Sequence, residues 1–180
     1  IIIPSKKFIN TVFKILKKNN IYIIADEIWN GMGRTGRLFS FEKYDVKPDI
    51  VCLGKSLSAT IPLSAVAAPK KLLKNWPPGI HTSTFQGNPI ACALSKSTFD
   101  QILSKKLLVR VNNIEEIFKQ FSSRITNYKY VGDVRVVGAQ AGIEFLDKKN
   151  LPNKHIVNIL VKTLLIKKII VYAGGEKGNV

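Results

Sequence analysis

Cysteine is scarce in this chain: Cys52 and Cys92 are the only two in 180 residues, and they stand far apart. Two isolated thiols exclude a disulfide scaffold and a cysteine-built zinc site, and no metal is expected. Cys52 falls inside an apolar run, where a small buried thiol is the ordinary outcome. Both thiols fit a reducing cytoplasm. Long apolar runs are missing too, and none approaches bilayer-spanning length, so no membrane partner is expected. Acids are few, 12 against 28 basic residues, for a net charge of +16. An excess of that sign raises nucleic-acid binding as a candidate. The lysines, however, come as scattered pairs such as Lys6-Lys7, Lys17-Lys18, Lys70-Lys71, Lys105-Lys106 and Lys167-Lys168. There is no arginine-rich arm and no basic run interleaved with aromatics. Solvated helix faces account for this pattern, and no nucleic-acid partner is expected. Internal repeats and low-complexity tracts are also missing.

What is present suits a globular core: 46% hydrophobic residues and a mean hydropathy of +0.07. Ile1-Ile2-Ile3 reads as a strand end. Pro4-Ser5 opens a helix with Phe8, Ile9, Val12, Phe13, Ile15 and Leu16 at helical spacing, and Asn19-Asn20 turns the chain. Ile21 to Ala25 is then a buried parallel strand, which completes half of a βαβ unit. Ile50 to Leu53 reads the same way. Ile61 to Ala68 suits a further strand, followed by Pro69 and a short helix. Trp76-Pro77-Pro78-Gly79 is a rigid loop. Helices follow over Ile90 to Leu103 and Leu108 to Phe121. Strands around Gly138 and Gly142 fill Gly132 to Phe145, a helix spans His155 to Lys168, and Ile169 to Tyr172 is a last strand. The character changes near Ser104, dividing the chain into residues 1–104 and 105–180.

The stretch from Ile21 to Lys55 carries the chemistry. The first strand ends in Asp26-Glu27 and the second in Gly54-Lys55-Ser56. If these strands are parallel neighbours, Asp26 and Lys55 emerge on one carboxyl edge, where open α/β sheets bind ligands. A lysine amine there can form a Schiff base with an aldehyde, and pyridoxal 5'-phosphate is the cofactor that needs one. The carboxylate would keep the pyridine nitrogen protonated. On spacing alone a surface ion pair is the better reading, because such pairs are common. Gly31-Met32-Gly33-Arg34-Thr35-Gly36 also matches the dinucleotide-binding pattern. That fingerprint puts its glycines directly between strand and helix, whereas five residues, Asp26 to Asn30, intervene here. A glycine-rich loop folding over the edge is the preferred reading.

Three ordered segments decide between these readings. Asp26-Glu27-Ile28-Trp29-Asn30-Gly31-Met32-Gly33-Arg34-Thr35-Gly36 resembles the signature of the class III, pyridoxal phosphate-dependent aminotransferases. Gly54-Lys55-Ser56-Leu57 through Ile61-Pro62-Leu63-Ser64-Ala65 is similar to that family's Schiff-base lysine segment. His81-Thr82-Ser83-Thr84-Phe85-Gln86-Gly87-Asn88-Pro89 resembles its third motif. The resemblance implies an α/β protein of the pyridoxal phosphate-dependent transferase fold type I. It would comprise part of the large mixed-sheet αβα domain, with the connecting helix, and the start of the small C-terminal α+β domain. The match opens midway through the large domain, so the chain is expected to be a piece of a longer enzyme and inactive alone. The family's earlier phosphate loop and ring-stacking aromatic, and its later carboxylate-binding arginine, fall outside it.

On this resemblance Lys55 is the catalytic lysine, and Asp26, Ile28, Lys55, Ser83 and Thr84 bind the cofactor. Asp26 would hold the pyridine nitrogen, and Ile28 would pack on a ring face. Ser83 and Thr84 suit a phosphate at a loop–helix junction, with the threonine serving the partner subunit of a homodimer that shares its sites. Without the family, Thr84 reads equally well as a helix N-cap. His81 is assigned no catalytic role. The implied reaction moves an amino group from ornithine, acetylornithine, 4-aminobutyrate or a related amine to an oxo-acid such as 2-oxoglutarate. Two departures stand out: Trp29, where the pattern most often has glutamine, and Ser58-Ala59-Thr60, which replaces a glycine-rich run. Racemases and epimerases of the same fold, and a catalytically silent fragment, remain alternatives at this point. A cytoplasmic location is expected, with a targeting signal left open because the chain starts at Ile1.

Overall fold

A computed structural model describes residues 1–58, 60–104 and 106–180. Ala59, within the departure after the lysine, and Lys105, at the expected division, lie outside the described residues. The chain forms two compact units, one of Pro4–Asn112 and one of Ile1–Ile3 with Asn113–Val180.

The first unit begins with helix α1, Lys6–Lys18. Ser5 caps it, its Oγ accepting from Phe8 N at 3.1 Å, one of the donors a helix start leaves unpaired. Lys17 and Lys18 occupy the last turn, where the helix dipole favours cations. Asn19 ends the helix and Asn20 takes a left-handed φ of 55°. Asp49 ties this helix to the strand that follows. One of its oxygens pairs with Lys17 Nζ at 2.7 Å and the other accepts from Ile23 N at 2.9 Å. These two partners hold the Asp49 carboxyl below the usual carboxylate range, the Lys17 hydrogen bond contributing most.

Strands β1 (Ile24–Asp26), β2 (Ile50–Leu53) and β3 (Ala65–Ala67) make a mixed sheet in that order. β1 runs parallel to β2, and β3 runs antiparallel. β1 is shorter than Ile21 to Ala25 would give, because Ile21 N bonds back to Leu16 O at 3.0 Å and Ile23 N is taken by Asp49. Nor is it buried: Ile24 is 60% exposed on an edge strand. Cys52 is half-buried rather than buried. β3 keeps only three residues of the apolar stretch Ile61 to Ala68, all exposed.

The unit's core lies beside the sheet. Met32, Leu53, Leu57 and Ile102 are buried together, with Leu38, Phe39, Leu63, Phe99 and Leu108 against them. Ile102 and Phe99 come from helix α3, Pro89–Leu103, which follows the short helix α2, Lys70–Leu73. This packing fixes the loop after β1 and the turn after β2 against one helix face. Gly36 in that loop has a φ of +85°, which favours glycine, and a Cβ there would lie 2.2 Å from Asn112 Oδ1, so that side chain would have to shift. After β1 the next element is a 3₁₀ turn, Ser40–Tyr44, not an α-helix. The glycine pattern therefore offers no helix N-terminus to a pyrophosphate, and the dinucleotide alternative falls.

Helix α4, Lys106–Ile125, contains the division at Asn112 and Asn113. In the second unit β4 (Val131–Val137) and β5 (Gln140–Phe145) form an antiparallel hairpin, followed by helix α5, Lys154–Ile166. Two expectations fail. Ile1–Ile3 is in no strand, Ile1 lying instead against Gly142. Ile169 to Tyr172 is not a strand either, because the outer side of β5 is taken by Asn179, whose carbonyl accepts from Phe145 N at 2.8 Å. Among the described residues no helix is long and apolar enough to cross a membrane.

Candidate cofactor site

The parallel register decides what shares the sheet edge. Asp26 pairs with Cys52, so Lys55 stands three residues beyond the level at which Asp26 leaves the sheet. Both side chains are exposed at this carboxyl edge. Asp26 Oδ1 accepts from Ile28 N at 3.0 Å, a local turn that aims the carboxylate. Ile28 is half-buried against Gly54, where a Cβ would lie 3.3 Å from Ile28 Cγ2. Gly54 thus lets Ile28 close over the backbone immediately before the lysine. Lys55 has a φ of +45°, a left-handed conformation that costs a non-glycine residue about 1–2 kcal/mol. Strain of this kind persists where surrounding structure imposes it, and functional sites are where it gathers. Lys55 Nζ lies 4.7 Å from the Trp29 ring centroid, and no ion pair joins it to Asp26 among the described residues.

Glu27 was legible in the sequence only as a second edge acid, and its role is structural. It is 2% exposed, and its carboxylate accepts from Ser40 N at 2.9 Å, Ser40 Oγ at 2.5 Å and Phe41 N at 3.1 Å. With Gly31 N on its carbonyl at 3.0 Å, it pins both ends of the loop that carries Ile28, Trp29 and Arg34.

A cleft of about 490 Å³ opens beside Lys55, lined by Met32, Ser56 and Ser58 from the loops and by Thr98 and Gln101 from α3. Among the described residues the buried Ser58 Oγ has no hydrogen-bond partner, an unusual state for an interior hydroxyl. Asp26, Ile28, Ser83 and Thr84 do not line this cleft. Ser83 and Thr84 are exposed just before α3, and no hydrogen bond links them to Asp26 or Lys55. Thr84 is not the helix cap. Asn88 is, its Oδ1 accepting from Ile90 N at 3.0 Å and Ala91 N at 3.1 Å, with Pro89 at the first helical position. Asparagine directly before such a proline was the signal that could have found it. His81 packs edge-on against Trp76, at 6.2 Å between centroids. Among the described residues no group of three or more potential ligands could hold a metal ion.

The donor set fits pyridoxal phosphate. An exposed amine and an exposed carboxylate share one edge, with an apolar side chain against the glycine before the lysine and, among the described residues, an unpartnered hydroxyl in the adjoining cleft. The family model for class III aminotransferases matches residues 1–174, so the chain belongs to that family, whose members are pyridoxal phosphate enzymes. It is 36% identical to the acetylornithine aminotransferase of Clostridium acetobutylicum over 157 residues, 85% of this chain and 41% of that protein. Its fold matches a Bacillus anthracis aminotransferase with a TM-score of 0.89 at 30% identity, over 99% of this chain and 43% of that one. It matches the ornithine aminotransferase of Toxoplasma gondii, in which pyridoxal phosphate partly occupies the active site, with a TM-score of 0.84 at 30% identity, over 94% and 39%. The chain thus spans about two fifths of the length of the curated relatives it matches.

Proposed function

We propose that this chain is the lysine-bearing part of an enzyme that transfers an amino group from an ω-amino acid or related amine to an oxo-acid such as 2-oxoglutarate. One observation carries the reading. The Asp26–Cys52 register sets an amine and a carboxylate on the same sheet edge, as pyridoxal phosphate chemistry requires. Bound, that cofactor supplies an electron sink for the pair of electrons left when the C–H bond of the donor's amine-bearing carbon breaks. Lys55 would attach it covalently. Freed by the donor, its Nζ would take the proton leaving that amine-bearing carbon and later return one to the reacting centre. Asp26 would hold a proton at the ring nitrogen, and Ile28 would lie against a ring face. Ser83 and Thr84 would hold a cofactor phosphate, Thr84 that of a cofactor bound by a second copy in a homodimer. Residues 1–104 would belong to the large domain and 105–180 to the small one.

The donor class follows the relatives, whose names include ornithine, acetylornithine and probable 4-aminobutyrate aminotransferases. The test incubates the whole protein containing this chain with each donor and 2-oxoglutarate, and follows glutamate and the carbonyl product. Both should form, and both should vanish with Lys55→Ala. Racemised donor without a carbonyl product would overturn amino transfer in favour of racemisation.

A further inference from the structure

Trp29 stands beside two cations. Lys55 Nζ is 4.7 Å and Arg34 Cζ 5.8 Å from its ring centroid, both within the roughly 6 Å over which an aromatic face attracts a cation. The indole is 57% exposed, so burial does not explain its position. Lys55 reaches it from a left-handed backbone, and Ile28 packs on Gly54 just before that turn. The direction in which the lysine leaves the sheet is therefore fixed by the backbone, and its end rests on the ring.

We propose that Trp29 is the positioning residue for Lys55, holding its nitrogen at the sheet edge before and after an aromatic, phosphate-bearing aldehyde attaches there. The inference rests on Lys55 being the cofactor-bearing lysine. The attachment balances without an outside reactant. The C–N bond forms, the carbonyl oxygen leaves as water with two of the three ammonium protons, and the third stays on the imine nitrogen. The positive charge stays at the same atom, so the ring face attracts the nitrogen in both states. An indole serves here without accepting a hydrogen bond, which it cannot do.

The test has two arms on the whole protein containing this chain. In the first, trace reductive methylation with formaldehyde is mapped by mass spectrometry, with Lys55 normalised to the exposed Lys7 and Lys70. Trp29→Leu should raise the Lys55 ratio by about two- to fivefold, as expected for losing an exposed cation–π contact, and Trp29→Phe should restore most of it. In the second arm, Trp29 emission is read as the difference between the protein and its Trp29→Phe variant. Pyridoxal phosphate should quench that emission by more than half, and should not do so when Lys55→Arg keeps a cation on the ring without a reactive amine. A Lys55 ratio unmoved by Trp29→Leu, or an adduct on Lys55 that leaves Trp29 emission unchanged, overturns the proposal. A moved ratio with no pyridoxal phosphate on Lys55 supports the Trp29–Lys55 pairing and overturns the cofactor reading instead.

Discussion

Replacing Glu27 tests how the loop over the sheet edge is held. Glu27→Ala removes the acceptor of two backbone N–H groups, from Ser40 and Phe41, and of the Ser40 hydroxyl. The hydroxyl can rotate toward another acceptor, but the amides cannot. Ser40 and Phe41 are half-buried, so water reaches them only in part. At about 1–2 kcal/mol for each stranded amide, the loss is about 2–4 kcal/mol. Glu27→Gln keeps the shape but turns an NH₂ toward one of those donors, so its loss should be smaller yet clear. Urea unfolding reads the difference. With a slope of about 2 kcal/mol per M, the Ala midpoint should fall by roughly 1–2 M. Trp29 emission should shift to the red in the native state, because the loop that carries it loses its anchor. A Glu27→Ala protein within about 0.5 kcal/mol of the parent, the range of a neutral surface change, would refute the reasoning.

Three further outcomes follow from the same structure. Gly36→Ala puts a Cβ 2.2 Å from Asn112 Oδ1 at a φ of +85°; unfolding should show a loss of about 2–4 kcal/mol, of which Asn112→Ala recovers the clash but not the strain. Asp26→Asn removes the charge proposed to hold the ring-nitrogen proton, and steady-state kinetics of the whole enzyme should show a rate loss of at least about a hundredfold. The carboxyl of Asp49 is held low by Lys17 and Ile23 N, so it binds a proton less readily in the folded state than in the unfolded one. Its stabilisation is complete above the ordinary aspartate value of about 3.9 and is lost as pH falls through its lowered value, so Asp49→Asn should flatten that part of an acid-unfolding curve followed by circular dichroism.

The Asp26–Lys55 edge was legible because two short apolar runs, each ending in a polar cluster, leave few arrangements other than parallel neighbours. Helix α1 was legible for a similar reason: the Ser5 cap and the apolar spacing agree. What was hidden depends on groups distant in sequence. The start of β1 depends on Asp49, which claims Ile23 N from 26 positions away. Glu27 looks like Asp26 until Ser40 and Phe41 fold back onto it. The contact of Trp29 with Lys55 depends on side-chain directions that no spacing encodes. Ile169 to Tyr172 is apolar enough for a strand, yet strands exist by pairing, and Asn179 takes the edge of β5 that it would need.

The account turns on Lys55 more than on any other residue. Borohydride reduction of the cofactor-loaded whole protein, followed by peptide mapping, should find pyridoxyl on Lys55 alone, with no adduct in Lys55→Ala. An adduct on another lysine, or none in protein replete with cofactor, would contradict it.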